Sequence, residues 1–311
     1  MLSNKAWLGA GAGILAGAFW GLVFLAPELA RGFPPLQLSA GRYLAYGLFA
    51  AVLVAPSWRR LVRALTWKEW RALAWLSFTG NIIYYVFLAN AVQSGGVAMT
   101  SLVIGLLPIA VTLAGSRDRH AVPLRQLLPS LALSAAGLLC ISWQSLTAAH
   151  GQGSAFGLLC AVGALASWTI YAIGNSRWLA RLNHVSAHEW NLLTGVVTGA
   201  QALLLAVPAF QLTPVSHASS DWLWFAGVVS AVAIFCSVLG NGLWNCATRL
   251  LPLTLIGQMI VFETLFALLY GFVWEARWPT TLESAAMVLL ILGVLSCASA
   301  HRPRAAQPSG M

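Results

Sequence analysis

Ten apolar blocks of about twenty residues each dominate the chain, at 7–26, 36–55, 72–92, 97–115, 124–143, 155–173, 186–207, 222–248, 253–274 and 282–300. About twenty mostly apolar residues is the length of helix that crosses the hydrocarbon core of a bilayer. The blocks use most of the 311 residues, and only 8% of the chain is charged against 59% apolar. A soluble domain carries about 25% charged residues to coat its surface. A water-soluble fold is therefore excluded, and the sequence predicts an all-α membrane protein with ten transmembrane helices. Punctuation such as Pro34-Pro35, Pro56, Gly95-Gly96, Pro208, Pro252 and Pro279 bounds the blocks.

Basic residues orient such a bundle, because positive charge stays on the cytoplasmic side. With both termini cytoplasmic, that side receives Lys5, Arg59, Arg60, Arg63, Lys68, Arg71, Arg117, Arg119, Arg125, Arg177, Arg181, Arg249, Arg302 and Arg304. Arg31 and Arg277 fall outside and Arg42 inside a span. The net charge of +9 is thus a topology signal. It is not a nucleic-acid footprint, since no basic patch interleaved with aromatics sits on a soluble module. The amino terminus reads as a retained first helix, its apolar stretch being longer than a signal-peptide core. The five cysteines lie within spans at unrelated spacings, so neither a disulfide framework nor a zinc site is indicated, and no cofactor is expected.

The two halves resemble each other weakly. Ala18-Phe19-Trp20 in span 1 matches Ala166-Ser167-Trp168 in span 6. Gly80-Asn81 followed by Tyr84-Tyr85 in span 3 matches Gly240-Asn241 followed by Trp244-Asn245 in span 8. Pro108 and Gly115 in span 4 have the separation of Thr264 and Gly271 in span 9. A repeat of five helices re-enters the membrane inverted. The expectation is two inverted five-helix repeats, 1–150 and 151–300, around a central cavity, with a cytoplasmic tail at 301–311; this is the geometry of alternating access.

On these residues the chain resembles the drug/metabolite transporter superfamily, in its EamA-type branch. That branch has a proline late in span 4 and a Glu-Pro pair in span 9; here Leu107-Pro108 and Glu263-Thr264 stand there, so the second proline is missing. Within the superfamily the chain looks most like the YddG-type aromatic amino-acid exporters. The resemblance implies a basket of spans 1–4 and 6–9 around the cavity, with spans 5 and 10 as peripheral scaffold.

Candidate site residues follow from position. Asn81, Tyr84, Tyr85 and Leu88 fall at i, i+3, i+4 and i+7, as do Asn241, Trp244, Asn245 and Thr248. An unpaired amide in hydrocarbon costs roughly 2–7 kcal/mol, so these faces turn inward, as a cavity wall or as bridges between helices. Trp20 and Trp168 lie deep in their spans, with Tyr171 one turn on, whereas most other tryptophans sit at span ends as belt anchors. Gly9, Gly13, Gly17 and Gly21 form a small-residue stripe for close helix approach or gating. Two charges remain inside the membrane. Arg42 would hold a carboxylate, form a structural ion pair or snorkel. Glu263, at the middle of span 9, would relay protons, bind an ammonium or serve as a structural carboxylate. The two are also candidates to pair with each other. Gln258 adds a polar contact just over one turn before Glu263.

One intramembrane cation is too few for phosphate cargo, and one deep carboxylate too few for a multivalent cation. An aromatic, amide-lined site with one charge of each sign suits a zwitterion with an apolar side chain. The expected partners are a small-molecule substrate, an amino acid with an aromatic or apolar side chain, and the lipid bilayer, with monomer and homodimer both compatible. The expected function is export of amino acids across an inner membrane, by uniport or proton-linked antiport. Other small metabolites and aromatic cations are the alternative cargo. An enzyme is disfavoured: all six histidines lie in loops or at span ends, and no nucleophile–base motif occurs. A channel lacks a pore-lining ring or filter sequence.

Overall fold

The computed structural model describes residues 4–30, 32–118, 121–148, 155–211 and 217–301. Of these, 24, 27, 28, 35, 92, 93, 95–99, 101, 102 and 141–148 are described by backbone alone. The expected division at 150/151 and the tail at 302–311 lie outside these residues, as do Arg31, Arg119, Arg302 and Arg304.

Every regular element among the described residues is helical. Span 1 is Asn4–Gly21, followed by a 3-10 turn, Leu22–Leu25, and one further helical turn, Ala26–Leu29. Span 2 is Pro35–Val54, started by a proline in its first turn, where no N–H is needed. Span 3 begins at Trp67 behind a capping box in which the Glu69 carboxylate accepts from the Thr66 N–H. The second set comprises Ala155–Arg181, Ala187–Gln211, a segment from Ser219 to Leu250, Leu253–Met259 with Val261–Trp274, and Thr281–Ala300.

Among the described residues, seven helices are long and apolar enough to cross a membrane by length and composition. The predicted first, fourth and fifth spans contain the helices Asn4–Gly21, Leu107–Gly115 and Leu124–Ala148. Span 1 begins with Asn4 and Lys5 and is rich in glycine, which lowers its hydropathy. In span 5 the apolar helix counted is Leu124–Cys140.

Three boundaries differ from the expectation. The Gly95-Gly96 break is absent, because the backbone stays helical over Tyr84–Ile104 and the interruption falls at 105–106, just before Leu107–Gly115. Glycine is common inside membrane helices, while Pro108 in the first turn fixes where the next helix begins. Ala91 and Val103 pack in one small cluster with Cys160 and Ala161 of span 6. Span 6 runs on to Arg181, well past 173, and span 7 continues through Pro208 to Gln211. Membrane helices tolerate proline when neighbours satisfy the freed backbone groups.

Span 2 packs along span 7 and span 5 along span 10; span 1 packs against spans 8 and 9, span 6 against spans 3 and 4, and span 4 against the start of span 9. Glycine makes the tightest contacts. A Cβ added to Gly47 or Gly199 would lie 2.5 Å from the other's Cα, so spans 2 and 7 touch backbone to backbone. On span 1, Gly9 meets Leu250 and Leu251, Gly13 meets Met259, Gly17 meets Phe262 and Gly21 meets Phe266 and Ala267. The stripe is thus a seam against span 9 and the turn before it. The described chain ends meet near that turn: Gly9 lies on Leu250 and Leu251, and His301 Nε2 lies 2.6 Å from Thr254 Oγ1.

Candidate functional site

Spans 3 and 8 each widen into a π-helical segment, Phe78–Ile83 and Ala233–Gly240. A π turn bonds i to i+5, and such bulges cluster at functional sites. Side chains from facing spans supply donors to the carbonyls of these wide turns. Ser167 Oγ of span 6 donates to the Thr79 carbonyl at 2.8 Å, and Trp20 Nε1 of span 1 donates to the Cys236 carbonyl at 3.1 Å. Asn191 Nδ2 of span 7 donates to the Val238 carbonyl at 2.8 Å. Close approach requires glycine on both segments. A Cβ on Gly80 would sit 2.4 Å from the Tyr171 ring, and one on Gly240 would sit 3.0 Å from the Trp20 indole.

Around the second π segment the structure gathers four expected residues. Trp20, Trp168 and Trp244 form a triangle of rings with centroids 6.3, 6.0 and 5.1 Å apart. Tyr171 adds an edge contact to Trp168 at 5.9 Å. Asn241 Oδ1 accepts from Trp20 Nε1 at 2.9 Å. Trp244 is fully buried and its indole N–H has no hydrogen-bond partner. The crossing of spans 1, 6 and 8 is therefore filled with aromatic rings. An apolar groove of about 560 Å³ opens beside it, between Leu22, Leu25 and Leu29 of the chain after span 1 and Leu223, Trp224 and Phe235 of span 8.

The other expected residues fall elsewhere. Asn81 Nδ2 donates to Thr198 Oγ1 of span 7 at 3.1 Å, while Tyr85 meets the Tyr43 ring edge-on at 6.4 Å. Asn81 lies inside the π segment and Tyr84 just after it, so the i, i+3, i+4 template does not hold across that junction. Asn245 accepts from Asn175 Nδ2 at 2.9 Å, and Asn175 Oδ1 accepts from Trp190 Nε1 at 2.9 Å. Gln258 is fully buried, accepting from Ser134 Oγ at 3.0 Å and donating to Thr112 Oγ1 at 3.2 Å. Pro108 lies at the same crossing of spans 4 and 9, its carbonyl 3.2 Å from where a Cβ on Gly257 would be. The Asn175 link is testable. Asn175→Ala strands a buried indole N–H and a buried amide oxygen, at about 1–3 kcal/mol for each unsatisfied group. The variant is expected to melt several degrees lower in detergent, and an unchanged melting curve would contradict this role.

The two intramembrane charges do not form an ion pair. Arg42 Nε donates to Ser237 Oγ at 3.2 Å, and its guanidinium carbon lies 5.4 Å from the Tyr43 ring centre. Span 8's π segment thus holds Trp20 through the Cys236 carbonyl and Arg42 through the adjacent Ser237. Glu263 is half-buried on span 9 beside Gly17. Its carboxylate has no hydrogen bond or ion pair among the described residues, yet it stands within electrostatic reach of Arg42 and Tyr84.

Tyr43, Asn175, Asn191, Thr198 and Ser237 join these networks without having been singled out in the sequence. Asn175 was hidden because its span was expected to end at 173. The others carried the same signal as Asn81, a polar group inside an apolar span, without its companions.

The end of the bundle carrying Lys5 is tied across its loops. Arg60 pairs with Glu189, His184 lies 3.3 Å from Glu69, and Arg177 lies 3.5 Å from Asp118. Exposed pairs of this kind contribute about 0–1 kcal/mol. Arg249 is different: its Nη2 donates to the carbonyls of both Leu182 and Val185, joining the turn after span 8 to the turn after span 6.

The fold and part of the sequence match known proteins. The EamA-like transporter family model matches residues 7–143. The inner membrane protein YtfF of Escherichia coli is 32% identical over 298 residues, covering 91% of this chain and 92% of that protein. The WAT1-related protein At3g02690, chloroplastic, of Arabidopsis thaliana is 23% identical over 286 residues, covering 89% of this chain and 66% of that protein. A solved crystal structure superposes with a TM-score of 0.73 at 19% identity, covering 94% of this chain and 96% of the other, which shows the fold alone. A full-length helical bundle, the family match and a relative this similar over nine-tenths of the chain agree that the protein belongs to the EamA-like transporter family of the drug/metabolite transporter superfamily and is a multi-pass membrane transporter of small substrates.

Proposed function

We propose that the protein is an inner-membrane carrier that exports amino acids with aromatic or apolar side chains by alternating access. Arg42 receives the substrate carboxylate. Glu263 and Tyr84 receive its ammonium group, and Trp20, Trp168 and Asn241 stand along its side chain, with Trp244 packed behind the two rings. The observation that carries this reading is the unpaired state of the two intramembrane charges. A charge in the hydrocarbon region is costly and is normally neutralised by a partner, yet neither Arg42 nor Glu263 has an ion pair among the described residues. A zwitterion satisfies both at once.

The helix pairing supports two inverted five-helix repeats as the moving parts. Exchanging the halves turns the contacts of span 1 with 8 and 9 into those of span 6 with 3 and 4. The pairs 2–7, 5–10 and 4–9 map onto themselves. Each half also carries one π segment in its third span. Positive charge concentrated at the Lys5 end supports cytoplasmic termini, and the name of the Escherichia coli relative supports the inner membrane.

Counterflow in proteoliposomes, screened across the twenty amino acids and a few aromatic cations, tests the assignment. Exchange of labelled phenylalanine or tryptophan is the expected result, and loss of it in Trp168→Ala and Asn241→Ala supports the lining. An aromatic cation, the other cargo suited to a free carboxylate beside rings, would need Glu263 and not Arg42. Exchange of such cations alone, unaffected by Arg42→Gln, overturns the amino-acid reading. A pH gradient separates uniport from proton-linked antiport, since only in the second does Glu263→Gln abolish gradient-driven accumulation.

A further inference from the structure

Beyond the transport path, an open groove of about 970 Å³ lies on the lipid-facing side of spans 3, 6 and 7, lined by Lys68, Arg71, Trp75, Phe78, Trp178, Arg181 and Gln201 among others. Lys68, Arg71, Trp75 and Phe78 follow one another at helical spacing along one stripe of span 3. Arg181 closes the groove from the last residue of span 6. All three cations are exposed, and none makes an ion pair or hydrogen bond among the described residues. This sets them apart from neighbouring Arg60 and Arg177, which are paired. Below the cations, toward the membrane interior, Trp75 and Phe78 are exposed, Trp75 at 57%. Gln201 donates its amide Nε2 to the Ala74 carbonyl at 3.0 Å, which leaves its buried Oε1 without a donor.

We propose that this groove binds an anionic phospholipid with a glycerol headgroup, phosphatidylglycerol or cardiolipin, from the leaflet at the Lys5 end of the bundle. The chemistry matches in layers. Three unpaired cations at the span ends face the depth of the headgroup phosphate, and each attracts anionic lipid there. Trp75 and Phe78 present apolar surface to the acyl chains, as aromatics at the membrane interface do. A zwitterionic headgroup brings an ammonium toward the same cations and is disfavoured. Free phosphate satisfies the cations but leaves the aromatic floor uncovered.

Native mass spectrometry of the purified full-length protein, titrated with defined lipids in detergent, provides the test. Wild-type protein is expected to retain phosphatidylglycerol and cardiolipin at least about tenfold better than phosphatidylcholine. The triple variant Lys68→Gln, Arg71→Gln, Arg181→Gln should lose that preference while binding phosphatidylcholine as before. A control with the same change in net charge, Arg59→Gln, Arg63→Gln, Arg117→Gln, should keep it. Equal preference in both triple variants overturns the site, as does displacement of phosphatidylglycerol by millimolar inorganic phosphate alone. Because all readouts compare lipids on one protein, a general loss of stability in a variant lowers every signal together and is distinguished from loss of the site.

Discussion

Replacing Glu263 by glutamine, or Arg42 by glutamine, is expected to lower amino-acid counterflow by roughly two orders of magnitude while leaving the protein folded. The direction follows from geometry. Neither side chain holds up the bundle through the other: Arg42 is anchored to Ser237 and the Tyr43 face, and Glu263 has no polar partner among the described residues. Removing one charge therefore takes away a contact made by the cargo. Truncating one member of a desolvated charge pair costs about 2–5 kcal/mol, and each 1.4 kcal/mol is a factor of ten. Thermal unfolding in detergent separates this from a packing defect, because it should barely move for Glu263→Gln. Wild-type exchange in both single variants would remove the two charges from the binding site.

The second large effect is steric. Gly17→Leu is expected to leave little folded protein, whereas Gly11→Leu on the same helix should express and melt like the wild type. A Cβ at Gly17 would lie 2.6 Å from the Phe262 Cβ and 2.8 Å from its backbone carbonyl carbon, so even alanine forces spans 1 and 9 apart. At Gly11 nothing lies within 4 Å. Overpacking a tight contact by one or a few carbons costs about 1–3 kcal/mol and sometimes more, and a branched side chain against backbone exceeds what rotamer changes absorb. Gly47→Leu should behave like Gly17→Leu, since Gly199 offers only backbone across the gap. Membrane yield and the detergent melting temperature read both. Equal behaviour at positions 11 and 17 would mean that spans 1 and 9 do not meet along this seam.

That contrast marks how far the sequence alone reaches. Glycine at every fourth position of span 1 announces a close-packed face, and the structure supplies its partner. Gly11, in the same run but off the four-residue rhythm, faces open space. Trp20, Trp168, Trp244 and Asn241 were legible because large or polar groups deep in an apolar span must turn inward, and they meet. The Asn81–Tyr84 face was not, because no residue pattern announces i→i+5 bonding, and one wide turn rotates everything after it. The break expected at Gly95-Gly96 failed for a related reason. Glycine weakens a helix in water, where the backbone finds other partners, but in hydrocarbon keeping the helical bonds is the cheaper course. Gln258 and Asn245 show the limit of reading polarity as a site: both are buried amides, and both are taken up by other side chains.

Arg249 reaches across from one connection to another and occupies two backbone acceptors there. A single guanidinium nitrogen makes both bonds, one through each of its two hydrogens, so removing the side chain frees both carbonyls together. The turn after span 6 and the turn after span 8, 64 to 67 residues apart in the chain, thus depend on one side chain. A single substitution at Arg249 would therefore loosen two distant connections at once.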